Sequence, residues 1–197
     1  RDFGWISLAE TIDRLERTLS TIEKMERHRG HLYNWYDTRT LKPLQPLYVS
    51  SVDSGNLAGH LVAVAAACDI WAAAPAAHLQ GDFEGIVDAA AILQETLDAL
   101  PDDRRPLRPL RRRLAERIEG MRRAVDTIRR EPETASIRAI NLAVLAGDIR
   151  KLAKALNEEI GTPESDDLAL WASRLEKACE SHLADAHMEE DGVGRLR

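Results

Sequence analysis

Between His31 and Ser54 the chain gathers side chains that could do chemistry. His31-Leu32-Tyr33-Asn34-Trp35-Tyr36-Asp37-Thr38-Arg39-Thr40-Leu41 is followed by Tyr48-Val49-Ser50-Ser51-Val52-Asp53-Ser54, with polar and aromatic groups mixed in neither a helical nor a strand period. A site for a sugar needs flat apolar faces against the C–H face of the ring. It also needs carboxylate, amide and guanidinium groups to replace the water hydrogen bonds of the hydroxyls. Trp35 or Tyr36 supplies the first, and Asn34, Asp37, Arg39 and Asp53 the second, with Thr38 and Ser54 beside them. The bland alternative is structural. The aromatic rings then plug the end of a helical bundle while Asp37, Thr38, Asp53 and Ser54 cap backbone amides.

The elements around this segment read as helices. Ser7-Leu8-Ala9-Glu10 has capping-box spacing, and Leu8, Ile12, Leu15, Leu19 and Ile22 continue an apolar stripe, predicting a helix over about 7–29 that stops at Gly30. An irregular connection over 31–52 follows, carrying Pro43 and Pro46. A second helix runs from Asp53 and Ser54, read as its caps, to about His78. Asp82 is the expected cap of a third, about 82–99, with Ile86, Leu93, Leu97 and Leu100 inward. The stripe Leu107, Leu110, Leu114, Ile118, Met121, Val125, Ile128 predicts a fourth helix over about 107–130. A fifth is expected over about 134–160 with Ile137, Ile140, Val144, Leu145, Leu152 and Leu156 inward. A sixth, about 166–187, turns Leu168, Trp171, Leu175, Cys179 and Leu183 inward, and 189–197 reads as a frayed tail.

Composition agrees: 28 Ala and 25 Leu against nine aromatic residues argue against a sheet-built fold. The expected class is all-α, about six amphipathic helices in an antiparallel bundle or partial (α/α) array, with one long irregular loop after the first helix. The chain is read as a single helical region over 1–197, divided into helix 1 (1–30), the aromatic and acidic loop (31–52) and the remaining helices (53–197). A net charge of -6 with 30% charged residues disfavours nucleic acid as a partner. Cys68 and Cys179 suit a reducing compartment. The opening Arg1-Asp2-Phe3-Gly4-Trp5 has no signal-peptide pattern, and the stretch is read as a piece of a longer chain. Leu57 to Ala77 is apolar enough to raise a membrane span. His60 and Asp69 within it favour a buried soluble helix instead, so no transmembrane segment is expected.

Over residues 5–70 the sequence resembles the bacterial cyclic β-1,2-glucan synthases. The resemblance is carried by Glu26-Arg27-His28-Arg29-Gly30-His31-Leu32-Tyr33-Asn34-Trp35-Tyr36-Asp37-Thr38-Arg39-Thr40-Leu41 and by Pro46-Leu47-Tyr48-Val49-Ser50-Ser51-Val52-Asp53-Ser54-Gly55-Asn56-Leu57-Ala58-Gly59-His60-Leu61. Leu32 departs from the Phe that family members often carry. The resemblance implies a helical part of a large inner-membrane enzyme, facing the cytoplasm, at the start of its glycoamylase-like, transglycosylating region. It implies that Asn34, Trp35, Tyr36, Asp37, Thr38, Arg39, Asp53 and Ser54 contact or brace a wall for linear β-1,2-glucan. UDP-glucose and a divalent metal would belong to a separate domain of the parent, leaving no cofactor here. The other domains of the parent chain are the implied partners.

A retaining transglycosylase needs two carboxyl groups flanking the glycosidic bond. Only Asp37 and Asp53 occur in the special segment, and capping explains both, so the catalytic residues stay unassigned and this stretch alone is expected to be inactive. The rival function is a non-catalytic helical spacer or docking module between catalytic domains. An independent helical glycosidase is a third reading, disfavoured because a full (α/α) barrel needs about twice the helices found here. His182 and His187 sit five apart, about 500° around a helix, and read as an exposed helix end rather than metal ligands. His60 and Asp69 are read as satisfied core groups or cleft-lining ones. The arginines over 107–130 are expected on a solvated face, with anionic lipid headgroups as the sharper alternative.

Overall fold

A computed structural model describes residues 4–73, 83–101, 105–130 and 135–186. The described residues form an all-α protein with six α-helices and one two-stranded hairpin. They pack as two compact units, one holding 4–11 and 83–186 and the other 12–73.

The first unit is a ring of four helices. α3 (Glu84–Ala99), α4 (Arg108–Arg130), α5 (Ala135–Ile160) and α6 (Pro163–Ala186) each pack against the next, and α6 closes the ring against α3. Short breaks between apolar stripes leave consecutive helices little choice but to lie side by side. Ile86, Leu93, Leu97 and Leu100 are buried from α3 and its end, as are Leu114, Ile118, Met121, Val125 and Ile128 from α4. Arg111, first of the arginine run, is no surface charge in waiting. Its guanidinium donates to the carbonyls of Leu97, Leu100 and Pro101, satisfying the orphan acceptors at the end of α3. Arg117 pairs with Asp148 and Arg129 with Glu84, so part of the basic face is spent inside the unit.

Two inward registers differ from expectation. In α5 the buried stripe is Leu142, Ala146, Ile149, Ala153 and Leu156, while Ile140 and Val144 are 47% and 64% exposed. Alanines let α6 approach closely, and that proximity outweighs the larger β-branched side chains one step around the helix. The side chain of Ile137 lies outside the described residues. In α6 it is His182, not Leu183, that is buried at this level. α6 also starts earlier than the apolar pattern suggested, because Pro163 fits the first turn. Thr162 and Ser165 exchange backbone N–H donations to one another's hydroxyls. Gly161 ends α5 at φ +65°, donating to the Asn157 carbonyl.

His182 is 3% exposed, against the expected exposed helix end. Its Nε2 lies 2.8 Å from the Gly4 carbonyl and its ring packs on Phe83. The start of the chain is clasped here. Glu10 N–H donates to Ser7 Oγ as the capping-box spacing predicts, but the reciprocal partner comes from α6: Ser181 Oγ accepts from Ser7 N–H and donates to the Glu10 carboxylate. The amides of Leu8 and Ala9 donate to Asp185 at 2.9 and 2.8 Å, placing a carboxylate at the positive end of α1 (Leu8–Lys24). Gly85 is required: a Cβ there would stand 2.4 Å from the Gly4 carbonyl oxygen.

The second unit holds the rest of α1, a hairpin of β1 (Arg27–His28) and β2 (His31–Leu32), the aromatic connection, and α2 (Ser51–Ala73). α1 does not reach Gly30 but stops at Lys24. Arg29 and Gly30 have φ of +50° and +90° and close the hairpin, with His28 opposite His31, so Gly30 serves a tight turn rather than a helix stop. α2 starts at Ser51, and its cap is Ser50 Oγ, which accepts the Asp53 N–H, in place of Asp53 or Ser54. The expectation of a buried second helix fails outright: none of its 23 residues is buried. His60 and Asp69 are exposed rather than core groups, His60 Nδ1 lying 3.0 Å from the Asn56 carbonyl. By length and composition alone α2 is long and apolar enough to cross a membrane. The expected end of α2 near His78, the Asp82 cap, His187 and the tail 189–197 lie outside the described residues; α3 itself has Phe83 at its N-cap, with no side-chain bond.

Candidate functional site

A groove of about 500 Å³ lies in the second unit. Ile22 from α1, the hairpin residues Arg27, Gly30, His31 and Leu32, the connection residues Tyr33 and Asn34, and Asp53, Ser54, Leu57, Ala58 and Leu61 of α2 line it. Apolar and polar residues share the lining about equally, a mix that suits a sugar, with its apolar ring face and polar hydroxyls.

Asn34 organises the polar end. Its backbone N–H donates to the Tyr48 carbonyl at 2.9 Å, its Oδ1 accepts the Ser50 N–H at 3.0 Å, and its Nδ2 donates to Asp53 Oδ2 at 3.0 Å. One side chain therefore ties the connection to the first turn of α2. Asp53 Oδ1 has no partner among the described residues, which leaves an acceptor at the groove margin. Ser54 adds a hydroxyl, and Arg27 and His31 add donors on the hairpin side. Arg27 also donates to the Ile22 carbonyl, fixing its guanidinium near the helix end.

The other sequence-predicted residues sit apart from this lining. Asp37 is taken up by its own turn: its Oδ1 accepts from the backbone N–H groups of Arg39 and Thr40 and from the Thr40 hydroxyl. Those donors, the Thr40 amide foremost, hold its carboxyl below the ordinary value of 3.8. Tyr36 is similarly occupied, its hydroxyl donating to the Glu26 carbonyl at 2.6 Å and accepting the Tyr33 N–H. Trp35 is 54% exposed and stacks on Tyr48, itself 53% exposed, with centroids 6.1 Å apart. That pair forms an aromatic platform open to solvent. Thr38 and Arg39 are exposed at the tip of the turn. So Asn34, Asp53 and Ser54 are brought together at the groove, and Trp35, Tyr36, Asp37, Thr38 and Arg39 are not among its lining.

Ile22, Arg27 and Gly30 line the groove although the sequence pattern had assigned them to one helix and its stop. The adjacent positive φ values at Arg29 and Gly30 create the hairpin that brings Arg27 and Gly30 to the groove beside Ile22 of α1, and an X-Gly pair beside His and Arg was the only hint. Among the described residues no three His, Cys, Asp or Glu side chains gather as a metal site. The groove holds one carboxylate, Asp53, so the paired acids of a glycosidase are not assembled within it.

No family model matches the chain. Across all 197 residues it is 55% identical to a segment of the cyclic beta-(1,2)-glucan synthase NdvB of Rhizobium meliloti (strain 1021). The resemblance seen over residues 5–70 thus holds and extends over the whole chain, which spans 7% of that relative's length.

Proposed function

We propose that this chain is a non-catalytic part of a cyclic β-1,2-glucan synthase, supplying scaffold and one wall of a glucan-binding cleft to the cyclising, transglycosylating region. The observation that carries the reading is the groove built on Asn34 and Asp53, lying within a stretch 55% identical to such a synthase. The four-helix unit acts as the scaffold. In the groove, the Asp53 carboxylate and Asn34 accept from and brace against sugar hydroxyls, Arg27 and His31 donate, and Leu57 and Leu61 face the apolar side of a ring. The open Trp35–Tyr48 platform gives a second flat face for the chain of sugars. Polymerisation from UDP-glucose with a divalent metal, and the acids that break and remake glycosidic bonds, belong to other parts of the parent polypeptide, which are this chain's partners. The whole lies on the cytoplasmic face of a bacterial inner membrane.

Calorimetric titration of the chain with linear β-1,2-glucan tests the reading. Weak binding is expected, abolished in Asp53→Ala and reduced in Trp35→Ala. Absence of any heat with the wild-type chain would leave the alternative function, a helical spacer or docking module between catalytic domains. The four-helix unit is what favours that alternative, since it is a closed ring of packed helices with a continuous buried core.

A further inference from the structure

α2 presents a regular apolar seam to open space. Val52, Gly55, Gly59, Val62 and Ala66 recur at intervals of three and four along one side, the spacing then passing through Asp69 to Ala73, with Ile70 beside them. Val52, Val62 and Ile70 are 69%, 71% and 68% exposed, an unusual state for three β-branched apolar residues on one helix. Where the seam carries glycine, nothing outside the helix approaches among the described residues: a Cβ added at Gly55 or Gly59 meets no such atom within 4 Å. Small residues flanked by Val and Ile form the groove-and-ridge surface that another helix can approach closely.

We propose that this seam is the docking face for an apolar helix from the part of the longer polypeptide outside these 197 residues. The chain accounts for 7% of the length of the relative it matches from end to end, so an excess of tethered polypeptide is available at high effective concentration. A second copy of the chain competes without that tether. A bilayer fits the surface less well. Asp69 falls on the seam itself, Asn56 borders it, and a carboxylate inside an apolar span is disfavoured by lipid. A partner helix can answer Asp69 with a donor. The inference rests on the reading of the chain as one part of a longer synthase, but not on its binding glucan.

The test places a photoreactive benzoylphenylalanine at position 62 of the full-length membrane-bound synthase, numbered as here. A mixture of isotopically light and heavy protein separates links within one polypeptide from links between copies. The expected product is a link within one polypeptide to a peptide outside the 197 residues. It is lost when Gly59→Leu is added and retained with Gly59→Ala, because the leucine fills the close approach. A Cβ at position 59 meets nothing within 4 Å among the described residues, and unchanged thermal stability of the Gly59→Leu protein would show that its effect reports the partner. The same probe at position 57, in the groove lining, serves as a positive control by linking within the 197 residues. Adducts at position 62 with lipid, with a second copy or within the 197 residues overturn the proposal, as does no adduct or a link indifferent to Gly59→Leu. Failure to bind linear β-1,2-glucan would contradict the proposed cleft and leave this result standing.

Discussion

Asp37 and Asp53 are both acids of the aromatic connection, yet their surroundings give them different work. Asp37 accepts three hydrogen bonds from its own turn, and its carboxyl is held below the usual carboxylate range by the amides of Thr40 and Arg39. Because the folded value is depressed, its contribution to the turn is complete above the ordinary value of 3.8 and is lost as pH falls through the lowered one. Protection of the Arg39 and Thr40 amides, taken relative to their intrinsic exchange rate at each pH, should therefore fall on acidification below that ordinary value, and Asp37→Asn should remove this acid-dependent step. An unchanged profile in the variant would refute the role. The thiols divide in the same way. Burial first, and then Glu180 and Glu176, push Cys179 up to about 12, while Cys68 is only half-buried. A maleimide should label Cys68 in the native protein and both cysteines only after denaturation; native labelling of Cys179 would contradict the packing of α6. That Asp37 and Asp53 stand in the irregular segment was visible in the sequence, but the groups each one meets were not, since they depend on which amides a turn brings within reach.

Among the elements, those with long apolar stripes were the most legible. α3 and α4 bury the residues their three-and-four spacing selects, except that Leu107, in a short turn before α4, and Leu110 are only half-buried. In α5, Leu156 is buried and Leu145 and Leu152 pack against the core as expected, but Ile140 and Val144 were misplaced because Ala139, Ala146 and Ala153, which carry little hydrophobic signal, belong to the buried face. The hairpin was hidden for a different reason: two-residue strands have no period to read, and only backbone dihedrals at Arg29 and Gly30 reveal the turn. The clasp on α1 joins groups more than 170 residues apart, beyond any local pattern. Removing the carboxylate in Asp185→Ala should cost about 1–2 kcal/mol by denaturant titration, the scale of a lost helix cap. Gly85→Ala should cost about 1–3 kcal/mol, because its methyl meets the backbone of Gly4 and Trp5, which must shift. Wild-type stability in either variant would show that the start of the chain is not held there.

At the scale of the whole molecule, the all-α class followed from Ala and Leu content and from stripe spacing, whereas the division of the described residues into a four-helix unit and a groove-bearing unit did not. Composition reports how much apolar surface exists; it does not say which helix keeps its surface uncovered. α2 was read as core for its apolar content and is the least buried of the long helices. That mismatch fits a chain that spans a small share of its relative. The groove at Asn34 and Asp53 is the centre of the proposed function. Amide chemical-shift mapping of the isotope-labelled chain during titration with linear β-1,2-glucan tests it most directly. The expected result is saturable shifts at Asn34, Asp53, Ser54 and Leu57, absent in Asp53→Ala, with the four-helix unit unmoved. Shifts confined to α3 through α6, or none at any accessible glucan concentration, would contradict it.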